Sequence, residues 1–556
     1  MSLAYPIPTT ARPPFSLGRW RRPLLTWLDG IEEGWAVPLL LIGFVAVWSV
    51  YFVIAYFDGD LHPDVLETWT LGRSLAWGYA KHPPLMGWAA RAWTEIFPLT
   101  NWSFQVLAMT NAAIALWSVD LIARRFVRGD KRAVVLLLLL LLPVYQFHAQ
   151  RFNANAVLLA TWPLATYCFL RSFETLDMRW AAAAGASAAL AMLGKYYSVF
   201  LLASFAFAAL CHPGRRVYFT SSAPYISVAT GLAALVPHLY WLATTGAQPF
   251  AYALERHAGK ALGASLIEAS LFVLGVTVLC AVPALVWARM AGQRTERFVR
   301  DFQALHPGLR LLLLIGIATV VFPAITAMAL RTDMPVIWSL QGLFLFVVVI
   351  VGGASCSIDR DDCVKLAGFV MGTALMTAAV IAPAHALYRN SHPLHEGRNF
   401  YQPAAEELTR RWHAETGMAL TTVGGDDDLA FALAFYSSDH PLYDIRLVHP
   451  ITERLPQDAT FDNGWAAMCF GGDEYCASSL QKVAARAPRF VRYEIVVESN
   501  LLGQPGASGR FVAFLVPPTS KPVQAPSPSD GVEDFSAMRR THTKWEGKTL
   551  GGVPMD

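Results

Sequence analysis

Between positions 35 and 387 the chain repeatedly runs for fourteen to two dozen residues with almost no charge, including an unbroken leucine run from Leu136 to Leu142. In lipid every backbone polar group must be satisfied within its own segment, which leaves helices as the way such blocks can span. A bilayer core takes about 20 apolar residues per helix. Blocks of that kind cover 35–56, 104–123, 133–149, 155–170, 180–193, 198–211, 224–244, 267–288, 309–330, 335–352 and 364–387. That spacing predicts an α-helical polytopic membrane protein with about eleven spans. The fifth and sixth are short and meet at Gly194-Lys195-Tyr196-Tyr197, which admits a broken hairpin or one long span. Composition agrees: 54% of residues are hydrophobic and 15% charged, against roughly 25% charged in a soluble domain. A net charge of +3 is too mild to point to a nucleic-acid partner.

Lys and Arg fall into every second loop. Arg19, Arg21 and Arg22, then Arg124, Arg125 and Arg128, then Arg215 and Arg216, then Arg289 and Arg297 mark one side, and the positive-inside rule makes it cytoplasmic. The N-terminal stretch 1–34 is then cytoplasmic, 35–387 is the membrane part, and its first apolar block serves as a signal anchor. An odd span count places everything after position 387 outside.

Composition changes at 388–517. Helix-like stretches (403–415, 429–437) alternate with strand-like runs (420–423, 446–448, 490–497, 511–516), as expected of a small extracytoplasmic α/β domain. Beyond it, 518–556 is rich in Pro, Ser, Gly and charge and reads as a disordered tail. Five of the seven cysteines sit in or beside apolar blocks as small hydrophobes. Cys469 and Cys476 lie in the polar segment, where their spacing admits a local disulfide or half of a thiolate metal site; the lack of a second Cys or His pair nearby favours the disulfide.

The first outer loop, 57–101, is too long to be a connector. It carries Asp58, Asp60, Asp64 and Glu67 directly after the first span. Pro63 followed by Asp64 reads as a helix start with an acid in the first turn, and Glu67 shares its face. Then come Tyr79, Lys81 and His82, a rigid Pro83-Pro84 turn, and an amphipathic stretch, 85–97, suited to the membrane interface. A basic pair opposite carboxylates is either a salt bridge or a phosphate clamp beside a base. Arg151, Lys195, Arg256, Lys260 and Arg331 stand at outer span ends. Singly each reads as a snorkelling side chain; together with Lys81 they suit one anionic ligand such as a lipid-linked phosphate. Asp60 and Glu67 are the candidates for a divalent metal, though an acidic cluster without ligand spacing is more often a solvated or paired surface.

The run Asp64-Val65-Leu66-Glu67-Thr68-Trp69, followed by Gly78-Tyr79 and Lys81-His82-Pro83-Pro84-Leu85, resembles the first-loop signature of polyprenyl-phosphate-sugar glycosyltransferases of GT-C fold, family 39/83 type. These include protein O-mannosyltransferases and lipid A aminoarabinose transferases. Gly194-Lys195-Tyr196 resembles that family's Ser-Lys-Tyr, and Trp241 through Phe250 to Arg256 its Trp-Asn, Phe and Arg loop. Where many relatives carry Asp-Glu this chain has Asp64-Val65, and where many carry an Asp after the third span it offers Arg151, Asn153 and Asn155. Asp64 is left as the only acid aligned with the family's base.

The resemblance implies inverting sugar transfer on the outer face, with a polyprenyl-phosphate-linked sugar as donor and a glycolipid, polysaccharide or protein as acceptor; it makes no cofactor certain and leaves a divalent metal open, and with the compact loops it implies a bacterial inner membrane. It assigns Asp64 as base, Lys81, His82, Lys195, Arg256 and Arg331 to the donor phosphate, and Glu67, Tyr79, Tyr196 and Arg151 to substrate. Two other classes stay open on sequence alone. A lipid-linked saccharide transporter or flippase would carry ionisable groups at mid-span depth, whereas here the span centres are aliphatic and aromatic. A non-catalytic assembly subunit would tolerate loss of Asp64 and Lys195.

Overall fold

The computed structural model describes residues 18–250, 259–292, 295–394, 399–448, 461 and 463–518. A surface helix, α1 (Gly18–Glu33), leads into α2 (Ala36–Ala55). Two short helices follow, α3 (Pro63–Gly72) and α4 (Leu85–Thr94), and then the bundle proper: α5 (Asn101–Ala123), α6 (Asp130–Leu140), α7 (Ala156–Thr175), α8 (Met178–Gly194), α9 (Val199–Cys211), α10 (Arg215–Thr220), α11 (Ala223–Thr245), α12 (Leu262–Met290), α13 (Thr295–Gln303), α14 (Pro307–Leu330), α15 (Leu343–Gly353), α16 (Arg360–Met376) and α17 (Ala382–Ser391).

Among the described residues, eight helices are long and apolar enough to cross a membrane. Three of the eleven expected spans are of another kind, and in each case a residue in the sequence explains it. The block at 133–149 breaks after α6, where Pro143 removes a backbone donor and a π-helical turn, Val144–His148, follows. The blocks at 180–193 and 198–211 are separate short helices, because Lys195 turns to extended backbone (φ −162°, ψ 139°) between them. α8 reaches its neighbour α11 through Gly185, where a Cβ would lie 2.1 Å from the Ser227 carbonyl oxygen, so only a bare backbone permits that approach.

The two ends of the bundle differ. At one, α1 and the basic loops are laced by ion pairs: Arg360 with Asp29, Arg21 with Asp361, and Arg132 bidentate to the buried Asp120 at 2.6 Å. At the other, the 57–101 loop folds back as α3 and α4, crossing at Gly72, where a Cβ would meet the Gly87 carbonyl.

A small α/β unit sits on this second end. It comprises α18 (Tyr401–Thr416), β1 (Thr422–Gly425), α19 (Asp427–Tyr436), β2 (Leu442–Val448), β3 (Trp465–Phe470), α20 (Glu474–Ala484), β4 (Val491–Leu501) and β5 (Gln504–Val516). Strand order is β2-β1-β3-β5-β4, parallel on the β1 side and antiparallel through β5. Both helix-like stretches and all four strand-like runs fall on elements seen here. β3 and α20 have no counterpart in that reading: Trp-Ala-Ala-Met-Cys-Phe is buried along nearly its whole length, so it lacks the alternation that marks a half-exposed strand. Cys469 of β3 and Cys476 of α20 are joined as a disulfide.

Polar ties hold the unit to the loop. Asp60, 3% exposed, accepts the Tyr401 and Gln402 amides at 2.7 and 3.1 Å and so caps α18. The Tyr436 hydroxyl donates to Asn101 and accepts from the Leu61 amide, both at 2.9 Å. Arg73 donates to the Pro441 carbonyl at 2.6 Å, and the Trp69 ring meets Phe435 edge-on at 5.2 Å.

Candidate active site

Pro63 and its neighbours start α3 as the sequence predicts. Proline occupies the first turn, where its missing donor costs nothing, and His62 accepts the Asp64 amide at 3.2 Å as the N-cap. The Asp64 carboxylate is thereby held at a helix N-terminus, where the dipole favours an anion. Asn153 donates to its Oδ2 at 2.6 Å. The Asn153 side-chain oxygen in turn accepts the Asn155 and Ala156 amides at 2.8 and 3.0 Å, so the start of α7 fixes the amide that fixes Asp64. Thr68, one turn on, donates to the Asp64 and Phe152 carbonyls at 2.7 and 3.1 Å, pinning α3 to the same loop.

Glu67 faces the other basic pair. Its oxygens lie 3.7 Å from Lys81 Nζ and 3.7 Å from His82 Nε2. Lys81 continues to Asp427, at the first residue of α19, and lies over the Phe431 ring. The Tyr443 hydroxyl donates to the same Asp427 at 2.8 Å. Lys81 therefore bridges the loop acid and the α/β unit. Lys195 Nζ, at the break between α8 and α9, donates to Asn155 Oδ1 at 2.5 Å and sits 4.0 Å over the Trp338 ring. Lys195 feels the Asp64 charge, and Asp64 that of Arg151.

These surroundings push the two carboxyls apart. Burial raises Asp64 above its usual range and neighbouring Glu67 raises it further, against the Asn153 hydrogen bond and the charges of His82 and Arg151. Burial also opposes ionisation of Glu67, but His82 and Lys81 outweigh it, and Glu67 falls below the usual range. The Asp64 side chain keeps 42% of its surface open. Two carboxyls on one helix face with environments pulling in opposite senses separate into a base and a structural anion. Asp64 is the base candidate, and Glu67 is held as a counterion.

The other residues singled out in the sequence take varied places. Tyr79 is buried, with its hydroxyl donating to the Ser74 carbonyl at 3.1 Å, an arrangement that shapes the turn. Tyr196 pairs its hydroxyl with His238 at 3.0 Å and stacks on Phe250 at 4.6 Å. Arg331 is exposed at the left-handed end of α14, and its carbonyl accepts the Lys260 amide at 3.0 Å. Arg256 lies outside the described residues. Asp60 and Glu67 do not suit a metal: both Asp60 oxygens hold backbone amides, Glu67 holds two cations, and among the described residues no group of three His, Cys, Asp or Glu converges.

Asp427 and Asp428 escape the sequence reading altogether, yet α19 packs on α3. Asp428 is raised to about 7, chiefly by burial and then by Asp426 and Asp427, with Asp64 and Glu67 contributing. The signal was available: Gly424-Gly425-Asp426-Asp427-Asp428 before an apolar run is a strand-turn-helix start, and Asp426 caps it through the Asp428 and Leu429 amides.

Known proteins resemble this chain in three ways. A family model described as dolichyl-phosphate-mannose-protein mannosyltransferase matches residues 81–241. The lipid A galacturonosyltransferase RgtD of Rhizobium johnstonii is 26% identical over 206 residues, and the match spans 36% of this chain and 42% of that relative. ArnT from Cupriavidus metallidurans, solved bound to undecaprenyl phosphate, superposes with a TM-score of 0.54 at 15% identity, covering 86% of this chain and 98% of ArnT. Its apo form gives 0.53 at 16%, covering 87% and 98%. The fold is of GT-C type, as expected, with a small C-terminal sheet unit. The resemblance to lipid-phosphate-dependent glycosyltransferases, and to those that modify lipid A, stands on the family model and the sequence relative together with that fold.

Proposed function

We propose that this chain is a membrane glycosyltransferase that moves a sugar from a polyprenyl-phosphate carrier to a hydroxyl of a lipid A-like acceptor, with inversion at the anomeric carbon. Asp64 takes the proton of the acceptor hydroxyl as its oxygen attacks the anomeric carbon from the face opposite the phosphate. The bond from that carbon to the phosphate oxygen breaks, and the lipid phosphate leaves with the electron pair. A positioned base contributes about 10²–10⁴-fold, and cations placed where the leaving charge develops often contribute more. Lys195 and Arg151 supply that charge beside Asp64, with Arg256 and Arg331 as further phosphate contacts. Lys81, tied to Glu67 and Asp427, acts mainly by holding the α/β unit over the site. Residues 35–387 form the membrane part and 388–517 the unit that selects the acceptor. The site end is periplasmic in a bacterial inner membrane and the N-terminus cytoplasmic, an orientation supported by the basic loops at the far end and the disulfide in the unit.

One observation carries this reading: a carboxylate whose basicity is raised is oriented by Asn153 at a helix N-terminus, in the field of Arg151 at the end of a membrane bundle. Asp64→Asn, at normal membrane abundance, should abolish transfer from a polyprenyl-phosphate sugar to a lipid A acceptor in reconstituted vesicles. Transfer at the parental rate refutes the assignment. Mass spectrometry of lipopolysaccharide and glycolipids from a deletion strain identifies the sugar and the acceptor.

A further inference from the structure

The two lysines of the site are compensated in different ways. Lys81 lies between two carboxylates, those of Glu67 and Asp427. Lys195 pairs with none among the described residues: its ammonium donates to the neutral Asn155 Oδ1 at 2.5 Å and lies 4.0 Å from the centre of the Trp338 ring. A buried ammonium without an anion is unfavourable, and an aromatic face offsets only part of that cost. The neutral surroundings therefore leave the Lys195 charge available to an anionic ligand, and a phosphate oxygen is a strong acceptor for it.

The fold itself fixes the ring. Trp338 belongs to a 3-10 helical turn, Val336–Gly342, that leads into α15. That turn packs on α12, where a Cβ on Gly275 would lie 2.5 Å from Val336 Cγ1. Tyr197, just past the break that presents Lys195, meets the Trp338 ring edge-on at 5.5 Å and stacks on Trp162 at 5.9 Å. The Trp162 indole donates to Ser198 at 3.0 Å, so the same short turn carries the lysine and steadies the ring beneath it. A lysine has a flexible four-carbon stem and loses much rotamer freedom when it is localised. Held between Trp338 and Asn155, it loses that freedom on folding rather than on binding a ligand. Asn155 lies in the turn whose Asn153 holds Asp64, so one loop sets both the base and the cation.

We infer that Trp338, with Asn155, is a positioning residue for sugar transfer: the two form an uncharged cradle that holds the Lys195 ammonium for the lipid phosphate of the donor and leaves its charge uncancelled. This rests on the donor given under the proposed function. It adds to that reading the ring that places the cation and a reason for an amide, rather than a carboxylate, at position 155.

The test is equilibrium binding of undecaprenyl phosphate and of uncharged undecaprenol to the full chain in lipid nanodiscs, read as the ratio of the two affinities. Trp338→Leu should lower that ratio about tenfold, the factor expected from losing a desolvated contact between a cation and a ring. Trp338→Phe, which keeps an aromatic face, should restore most of it, and undecaprenol should bind all three chains alike. In a Lys195→Met background, adding Trp338→Leu should change the ratio less than twofold, because the ring then has no cation to hold. Asn155→Asp is nearly isosteric and should lower the ratio comparably by supplying the ammonium with a fixed anion, so the test survives if Trp338→Leu misfolds. A ratio unchanged in Trp338→Leu or in Asn155→Asp overturns the inference, as does an equal loss from Trp338→Leu with and without Lys195. In those cases a parental preference for the phosphate leaves the proposed donor standing; a parental chain that binds the two lipids equally overturns both.

Discussion

Removing the amide that holds Asp64 should shift the acid limb of the pH–rate profile upward. Asn153 donates to Asp64 Oδ2 at 2.6 Å. A hydrogen bond to a charged group is worth about 1.5–3 kcal/mol, and one pKa unit corresponds to about 1.4 kcal/mol, so its loss amounts to about one to two units. The Asp64 side chain is 42% open, and water replaces part of the bond, which places the expected shift near the lower end, about one unit. The sign follows from which form the bond favours. It stabilises the carboxylate, while burial first and Glu67 second already raise Asp64, so removing it adds to that rise. A base must be ionised to act, hence in Asn153→Ala activity well below the pKa falls about tenfold while most of the alkaline plateau remains. The same side chain accepts two amides at the start of α7, and losing that cap costs about 0.5–2 kcal/mol, so rates belong well below the unfolding temperature. The assay is kcat/KM against pH with a polyprenyl-phosphate sugar in vesicles. A limb that stays in place, with the rate reduced equally at every pH, refutes the role given to Asn153.

Lys81→Met removes the bridge between Glu67 and Asp427 and should destabilise the docking of the unit by about 2 kcal/mol, below the 3–5 of a fully buried pair. Hydrogen exchange in 424–436 should then rise well above that of α20, and unchanged protection there contradicts the bridge. Asp428 is protonated up to about pH 7 in the fold, whereas an unfolded chain releases that proton near 3.8. Stability therefore falls as pH rises from about 4 to 7. Asp428→Asn should raise stability at pH 8 by about 2–4 kcal/mol and change little near pH 4; thermal unfolding of the whole protein at the two pH values checks this, and a gain equal at both refutes it. Replacing Cys469 and Cys476 together by Ala opens a short loop and should cost the unit about 2 kcal/mol, read as a lower unfolding midpoint under non-reducing conditions that reductant no longer changes.

The membrane class, the α/β composition of the C-terminal segment and the start of α3 are local properties, and the sequence carries them. Apolar length forces helices because lipid offers no other partner for the backbone, and Pro63 with Asp64 favours one helix start over its neighbours. Three of the expected spans are of another kind for equally local reasons: Pro143 interrupts a block whose side chains read as continuous, and Lys195 breaks the chain between two short blocks that the sequence leaves open as a broken hairpin. β3 escaped because a strand buried on both faces shows no alternation. The candidate site was legible as a set of residues but not as a set of roles. Asp64 and Glu67 are two acids on one face in the sequence, and only long-range packing separates them: α7 brings Asn153 to the first, and the turn after Tyr79 brings Lys81 and His82 to the second. Asp427 and Asp428, distant in sequence, enter because α19 docks on α3. Charge type and helix boundaries are set by the nearest few residues, whereas a pKa, an orientation or a contact such as that of Lys195 with Trp338 depends on which distant chains enclose it, and that was decided by the tertiary structure.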